Sequence, residues 1–253
     1  MSAPLVGARL AGTGLLSRIA LRTGWPAMVA WVVGAVALFL ATGLSIATLY
    51  DTPEELAAYS ASVGETMVML TGRVAGLDTP GGVVMNEYSF LVGFGVPLMA
   101  IALTARSTRR EEESGRSELL VAGGVGRLAP VAAALVVVAG VFLALGAGLW
   151  AATLALDVDR GGAALYVASI VATGWVYAAA TAVLAQVLAH HRTVWAASLA
   201  VAGLSLVTRG IGDAEENWLS WASPLGWHGL TRPFGESSPL PLAVSLAAAA
   251  ALA

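Results

Sequence analysis

The sequence predicts an all-α integral membrane protein, a transmembrane bundle of six helices. Its 253 residues are 58% hydrophobic and only 11% charged, whereas about a quarter of the residues in a soluble domain are charged. The few charged residues are confined to short stretches between long uncharged runs, and most arginines lie in alternate stretches. These three observations favour repeated membrane crossings by one transmembrane domain that covers residues 1–253.

The uncharged runs give the positions of the spans, because an ionised group at the centre of a bilayer is costly. A helix needs roughly 20 residues to cross, so the second and fifth runs are short and could be tilted, broken or re-entrant. The sixth run stops at Ala253, as expected of a chain cut within a span or of a short native C-terminal helix. The predicted spans are 25–49, 88–105, 129–154, 163–188, 193–208 and 239–253.

The arginines predict the orientation of the bundle, because short cytoplasmic loops carry the excess of basic residues. Nine of the 13 arginines lie in residues 1–24, in loop 106–127 and at Arg192, together with four of the 16 acidic residues. The opposite loops hold the other four arginines and twelve acidic residues. We therefore expect a cytoplasmic N-terminus, with a possible interfacial helix in its second half.

The two long outer loops, 51–87 and 209–237, carry signals for short helices. Thr52-Pro53-Glu54-Glu55 reads as a capping box that starts a helix ending near Ser62, and Asp213 with Glu216 could cap a second short helix before Pro224. Aromatic residues follow in the second loop: Trp218, Trp221 and Trp227. Such loops are either ordinary membrane-surface helices or an outer gate over a translocation path.

Loop 106–127 is the most informative cytoplasmic segment. Arg109 and Glu113, and Glu112 and Arg116, are spaced as helical i,i+4 ion pairs, and an apolar stretch follows before Gly123-Gly124. The loop is thus predicted to form a short charged helix across the cytoplasmic surface. It is either a solvated turn of mixed charge or a docking element for a soluble partner.

Several chemistries are excluded by absent residue types. The chain has no cysteine and no lysine, so it lacks thiolate chemistry and the lysine of a Walker A loop. No predicted span contains an ionisable residue, which disfavours an ion-driven carrier. His190 and His191 point in different directions on a helix, so we expect no metal site. The sequence contains no GxSxG motif, no HExxH motif and no Ser/His/Asp arrangement, so we also expect no cofactor and no catalytic residue. ATP, if used, must be bound by another chain.

The sequence resembles ABC-2-type permeases, and more narrowly the actinobacterial exporters of polyketide antibiotics of the tetronasin type. The resemblance runs nearly end to end and rests on several strings together. These are Arg109-Arg110-Glu111-Glu112-Glu113-Ser114-Gly115-Arg116-Ser117-Glu118-Leu119-Leu120, Val125-Gly126-Arg127, Leu49-Tyr50-Asp51-Thr52-Pro53-Glu54-Glu55-Leu56-Ala57-Ala58-Tyr59, Gly76-Leu77-Asp78-Thr79, Trp218-Leu219-Ser220-Trp221-Ala222-Ser223-Pro224-Leu225-Gly226-Trp227 and Arg232-Pro233-Phe234.

The resemblance implies a fold and a set of partners. Residues 109–122 would form the coupling helix that seats in a separate ABC ATPase, residues 15–24 an elbow helix, and residues 213–227 outer re-entrant helices. Such permeases usually comprise two six-span halves, of which this sequence would be the N-terminal one. It would need a second half, either a missing C-terminal half or a second copy of the chain in a homodimer. The implied coupling residues are Arg109, Glu112, Glu113, Arg116, Glu118, Leu119 and Leu120.

The leading functional hypothesis is therefore a permease subunit of an ABC exporter in the bacterial plasma membrane. It would move hydrophobic or amphiphilic small molecules such as antibiotics outward, bind no nucleic acid, and leave ATP hydrolysis to its partner. The alternative is a non-transporting membrane scaffold or accessory subunit. A partner ATPase with a Walker A lysine would discriminate between them.

Overall fold

A computed structural model describes residues 9–108 and 125–253, and its regular structure in these ranges is helical throughout. The helices are α1 (Thr13–Leu49), α2 (Pro53–Ser62), α3 (Glu65–Thr71), α4 (Pro80–Phe90), α5 (Val96–Ser107), α6 (Ala129–Thr153), α7 (Arg160–Val187), α8 (His191–Ala214), α9 (Pro224–Leu230) and α10 (Leu240–Leu252). A π-helical turn, Leu91–Gly95, joins α4 to α5, and a 3-10 turn, Trp218–Ala222, lies between α8 and α9.

Five helical segments of the described chain are long and apolar enough to cross a membrane: α1, the continuous α4–α5 unit, α6, α7 and α8. These segments overlap the first five predicted spans, so the prediction of a helical membrane protein is confirmed. Helix α10 begins where the sixth span was predicted and has 13 residues, fewer than the roughly 20 that a crossing requires. The number of six spans stays a prediction.

Helix α7 lies at the centre of the bundle, where it packs against α5, α6, α8 and α10. In its most apolar stretch 72% of the residues are buried, compared with 17% in α1. Helix α1 packs mainly along α6 and leaves most of its apolar surface exposed. In a membrane this surface faces lipid or another protein, because water would disfavour so large an apolar patch.

The segment predicted as an elbow and the first predicted span form one helix of 37 residues. It begins after Gly12, whose φ of 89° is easily adopted only by glycine. The segment just before α1 contacts the end of the 106–127 loop, since the Gly126 amide donates to the Ala11 carbonyl at 2.9 Å and the Leu128 amide to the Arg9 carbonyl at 3.1 Å. These two segments therefore lie on the same face of the bundle.

The capping box predicted for the first outer loop is confirmed. The Glu55 amide donates to the Thr52 hydroxyl, and the Glu55 carboxylate accepts from the amides of Asp51 and Thr52. These hydrogen bonds, mainly the one from Thr52, lower the pKa of Glu55. Helix α2 then ends at Ser62, as predicted.

One sequence prediction near the end of α8 is corrected by the structure. The helix that contains the predicted span 193–208 continues to Ala214, so it includes the ionisable residues Arg209 and Asp213. Asp213 does not cap a new helix; the amide of Leu219 in the 3-10 turn is instead capped by Asn217. The positions of the charges did not reveal this, because each ionisable group has partners more than 130 residues away in the chain: Leu70 and Thr71 for Arg209, and Arg73 for Asp213.

Candidate functional site

The most unusual feature of the described bundle is a buried arginine near the C-terminal end of α8. Arg209 is only 3% exposed, and its guanidinium donates to the carbonyls of Leu70 at 2.6 Å and Thr71 at 3.2 Å. These carbonyls end α3, where a helix carries partial negative charge. The contact ties α8 to the first outer loop across a separation of 138 or 139 residues.

Asp213, one helical turn after Arg209, makes the second tie to the same loop. Its carboxylate accepts from the amide of Arg73 at 3.1 Å and from the Ser220 hydroxyl at 2.5 Å. The Arg73 side chain also donates to the Asp213 carbonyl at 3.0 Å. An exposed ion pair between Arg73 and Glu216, 3.1 Å long, adds little stability because water screens both charges.

Glycine allows the loop to approach these charges closely. A Cβ at Gly72, whose φ is 89°, would lie 3.1 Å from the Asp213 carboxylate and 3.2 Å from the Arg209 guanidinium. A Cβ added at Gly93 in the π-helical turn would lie 3.7 Å from the same guanidinium. The arginine is therefore closely approached by backbone from two separate segments.

A second hydrogen-bond chain links α2, α3 and α4 beneath the outer loop. The Tyr59 hydroxyl donates to the Glu87 carboxylate at 2.6 Å and accepts from the Asn86 amide at 2.7 Å. Thr71 completes the chain, with its hydroxyl 3.2 Å from the Asn86 carbonyl. Burial, with a smaller contribution from Glu87, raises the pKa of Tyr59, so this phenol stays a donor at neutral pH.

His228 of α9 is buried against the N-terminal part of α7. Its Nδ1 lies 2.8 Å from the Ser169 hydroxyl, and its ring packs 5.3 Å from that of Tyr166. Burial, and to a lesser degree the charge of Arg209, lowers the pKa of His228 to about 3. The imidazole is therefore neutral at physiological pH.

An apolar cavity of about 260 Å³ lies between α1, the α4–α5 unit, α6 and α7, and it opens on the bundle surface. Its aromatic walls come from Trp31 and Tyr88, and the Tyr88 hydroxyl is occupied by the Ala35 carbonyl at 2.8 Å. Gly34 leaves open space on the α1 side. Such a cavity suits a hydrophobic molecule that enters from the membrane, because it offers apolar contact and few competing polar groups.

The three predicted gate tryptophans lie together in the second outer loop. Trp218 and Trp221 are 71% and 42% exposed, while the Trp227 indole donates to the Trp221 carbonyl at 2.6 Å. Trp218 and Trp221 line an outer cavity of about 690 Å³ with Arg73 and Asp213. The structure thus brings the tryptophans close to the Arg209–Asp213 cluster.

The other predicted site residues cannot be placed. Arg109, Glu112, Glu113, Arg116, Glu118, Leu119 and Leu120 lie outside the described residues. Within the described ranges, no three side chains of the kinds that bind metals come together.

Sequence reasoning missed three site residues: Arg209, Asp213 and His228. The i,i+4 spacing of the first two, directly after a short uncharged run, was the available signal for a helix that extends into charged sequence. The single His228 carried no comparable signal.

Comparisons with known proteins agree with a membrane permease. Residues 17–253 match the family described as "Multidrug efflux system permease Rv1217c, C-terminal domain". The multidrug efflux system permease protein Rv1217c of Mycobacterium tuberculosis (strain ATCC 25618 / H37Rv) is 35% identical over 257 residues, which cover 99% of this chain and 46% of that protein. The chain thus spans about half the length of this relative.

The matching family is described as a C-terminal domain, so the assignment to an N-terminal half stays a prediction. The chain belongs to the family of the multidrug efflux system permease Rv1217c, C-terminal domain.

Proposed function

We propose that this chain is the membrane-spanning part of an ABC-2-type exporter that moves amphiphilic compounds such as antibiotics outward across the bacterial plasma membrane. A separate ATPase would supply the energy, and a second six-span half would complete the pathway. The N-terminus and loop 106–127 would face the cytoplasm. Membership in a multidrug efflux permease family and the similarity to the mycobacterial permease support this proposal.

The apolar cavity beside α1 is the observation that carries the proposed substrate class. Five of its lining residues belong to α1, the helix with the smallest buried share among the candidate spans. A molecule dissolved in the bilayer could enter it without crossing water. Because the lining is almost wholly apolar, it would select by size and hydrophobicity rather than by hydrogen bonds.

The proposed coupling uses the contact between loop 106–127 and the start of α1. The two backbone hydrogen bonds from Gly126 and Leu128 join the end of the loop to Arg9 and Ala11, and Arg106 reaches the Thr23 carbonyl at 3.4 Å. An ATPase that pulls on the loop would therefore pull on α1. Because α1 forms one wall of the cavity, its movement would change the shape of the cavity.

The outer cavity fits the proposed gate. Trp218 and Trp221 would contact the apolar part of a leaving compound, and the charges of Arg73 and Asp213 lie beside them. Trp227 would hold Trp221 in place through its hydrogen bond.

Filling the apolar cavity tests the proposed substrate path. In Gly34→Leu the new side chain enters the cavity, whereas in the matched variant Gly140→Leu it points from α6 into open space. Both changes replace a helical glycine by a better helix former. We expect export of a hydrophobic dye, measured in cells with the complete transporter, to fall in Gly34→Leu and not in Gly140→Leu. Equal export by both variants would rule out the cavity as the path.

Reversing two charges of the loop tests the proposed ATPase contact. In the double variant Glu112→Arg/Arg116→Glu, the charge pattern offered to a partner is inverted while the predicted i,i+4 pairing is kept. We expect less ATPase to co-purify with the permease and a matching loss of export. Glu54→Arg, an exposed change in the outer loop, is the control. Unchanged co-purification and unchanged export in the double variant would contradict the coupling role and favour a non-transporting accessory subunit.

A further inference from the structure

Two acidic residues of the described chain lie within helices that are long and apolar enough to cross a membrane: Glu87 in α4 and Asp213 in α8. Ionisable groups at membrane depth are rare and usually have a partner or a ligand. Asp213 has its partners inside the protein, since the Arg73 amide and the Ser220 hydroxyl donate to its carboxylate. Arg209 also lies one turn earlier on the same helix. The carboxylate of Glu87 has no such set of partners.

Glu87 lies inside a membrane-crossing helix and not in the loop before it. The predicted span starts at residue 88, but the helical segment begins at Pro80 and has 28 residues. Glu87 is therefore about 10 Å from the start of a helix that is about 42 Å long. A hydrocarbon core of about 30 Å centred on this helix would contain Glu87 close to its boundary.

The Glu87 carboxylate is open on one side and has no basic partner. The Tyr59 hydroxyl donates to it at 2.6 Å, and the residue is exposed. Within residues 9–108 and 125–253, the ion pair that forms joins Arg73 to Glu216, so no arginine pairs with Glu87. A carboxylate in this position is therefore available to a cation from outside the chain.

The same carboxylate lies about one helical turn from the apolar cavity beside α1. Leu91, four residues after Glu87 on the same face of the helix, lines this cavity, and so does the adjacent Tyr88. On the other side of the carboxylate, the Tyr59 ring packs 5.2 Å from the ring of Tyr50 at the end of α1. Aromatic rings attract cations through their faces. A negative charge, aromatic rings and an apolar cavity thus follow one another along this side of the bundle.

We propose that this chain binds amphiphilic amines, with the protonated amine on the Glu87 carboxylate and the apolar part of the molecule in the cavity. The proposal rests on the proposed function, because it names the charge of the compounds that the cavity would take. The ligand supplies the cation that Glu87 lacks, which offsets the cost of a charge at membrane depth. The cavity selects for hydrophobicity, and Glu87 adds selection for positive charge.

A matched pair of dyes tests this selection. The first is a BODIPY fluorophore that carries one primary alkylamine, and the second is the same dye with its amine acetylated, so the two differ in charge. Binding of each dye to the complete transporter would be measured by fluorescence anisotropy. The transporter would be purified in dodecyl maltoside, a non-ionic detergent that offers no competing amine.

Three variants separate the charge of Glu87 from its hydrogen bond. Glu87→Gln removes the charge and keeps an acceptor for Tyr59, and we expect the affinity for the amine dye to fall at least about tenfold. The affinity for the acetylated dye should stay the same. Glu54→Gln removes an exposed charge in the outer loop and should change neither affinity. Tyr59→Phe breaks the hydrogen bond but keeps the carboxylate, so the preference for the amine dye should remain.

Three results would overturn the proposal. The first is an unchanged affinity of Glu87→Gln for the amine dye, and the second is an equal loss in Tyr59→Phe, which would give Glu87 a structural role alone. The third is displacement of the amine dye by phosphatidylethanolamine as strongly as by decylamine, which would assign the carboxylate to a lipid headgroup. Equal affinities of the unsubstituted transporter for both dyes would also overturn it, whereas the apolar path would still stand on binding of the acetylated dye.

Discussion

Replacing Arg209 with methionine tests whether a buried charge holds the outer loop to the bundle. The guanidinium donates to two carbonyls, those of Leu70 and Thr71, and is almost wholly buried. Methionine keeps most of the apolar stem and removes both donors. Asp213 retains its own donors, Arg73 and Ser220, so the change acts mainly on the end of α3.

The expected loss follows from the number of groups left unpaired. A buried carbonyl without its donor costs about 1–3 kcal/mol; the contact to the Thr71 carbonyl is buried and that to the Leu70 carbonyl is partly buried. Release of the guanidinium from its desolvated position offsets part of this cost, so we expect the free energy of unfolding to fall by about 2–4 kcal/mol. For a chain of this size about 1 kcal/mol shifts Tm by 2–4 °C, which gives a decrease of about 10 °C.

Thermal unfolding of the purified chain in detergent is the assay, with Arg192→Met as the matched control. Arg192 lies on the same helix and is exposed, so its replacement should change the free energy of unfolding by less than about 0.5 kcal/mol. If Arg209→Met and Arg192→Met have the same Tm, the two carbonyl contacts do not stabilise the fold and the reasoning is refuted.

Two further predictions concern the second outer loop. The pKa of His228 is lowered to about 3, below its ordinary value of about 6.5. As the pH falls, the unfolded chain therefore binds a proton at His228 before the folded chain does, and the free energy of unfolding should fall by about 2 kcal/mol between pH 6.5 and pH 5. In His228→Asn that part of the pH dependence should vanish. An unchanged pH profile in this variant would contradict a buried, neutral His228. Gly226→Ala should lower Tm strongly, because the new Cβ would overlap the Ser220 carbonyl oxygen. Gly229→Ala on the same helix is the control, because its Cβ would meet nothing closer than 3.8 Å. Equal Tm values for the two variants would show that the loop is not packed as described.

Much of the fold follows from local signals in the sequence. The uncharged runs located the five long helices because the cost of a charge in lipid is a property of each residue. The capping box at Thr52 was predicted correctly because its partners are at most four residues apart. The three tryptophans of the second outer loop were also visible in the sequence. The hydrogen bond from the Trp227 indole to the Trp221 carbonyl was not.

The candidate site was much harder to predict, and Arg209 shows why. Read along the chain, it ends an uncharged run and therefore looks like a loop residue. Its carbonyl partners, Leu70 and Thr71, lie almost 140 residues earlier, and no local pattern connects them. His228 is similar, because its partner Ser169 is 59 residues away.

Sequence alone is enough to place this protein in a membrane, to locate its long helices, and to show that it lacks the lysine and cysteine needed for several chemistries. The folded chain is needed to see that Arg209 and Asp213 belong to α8 and that polar side chains are buried where α5, α7 and α8 pack together. The reason is physical: hydrophobicity and helix capping act over a few neighbouring residues. The stability of a buried charge or hydroxyl depends on groups that only the folded chain brings to it.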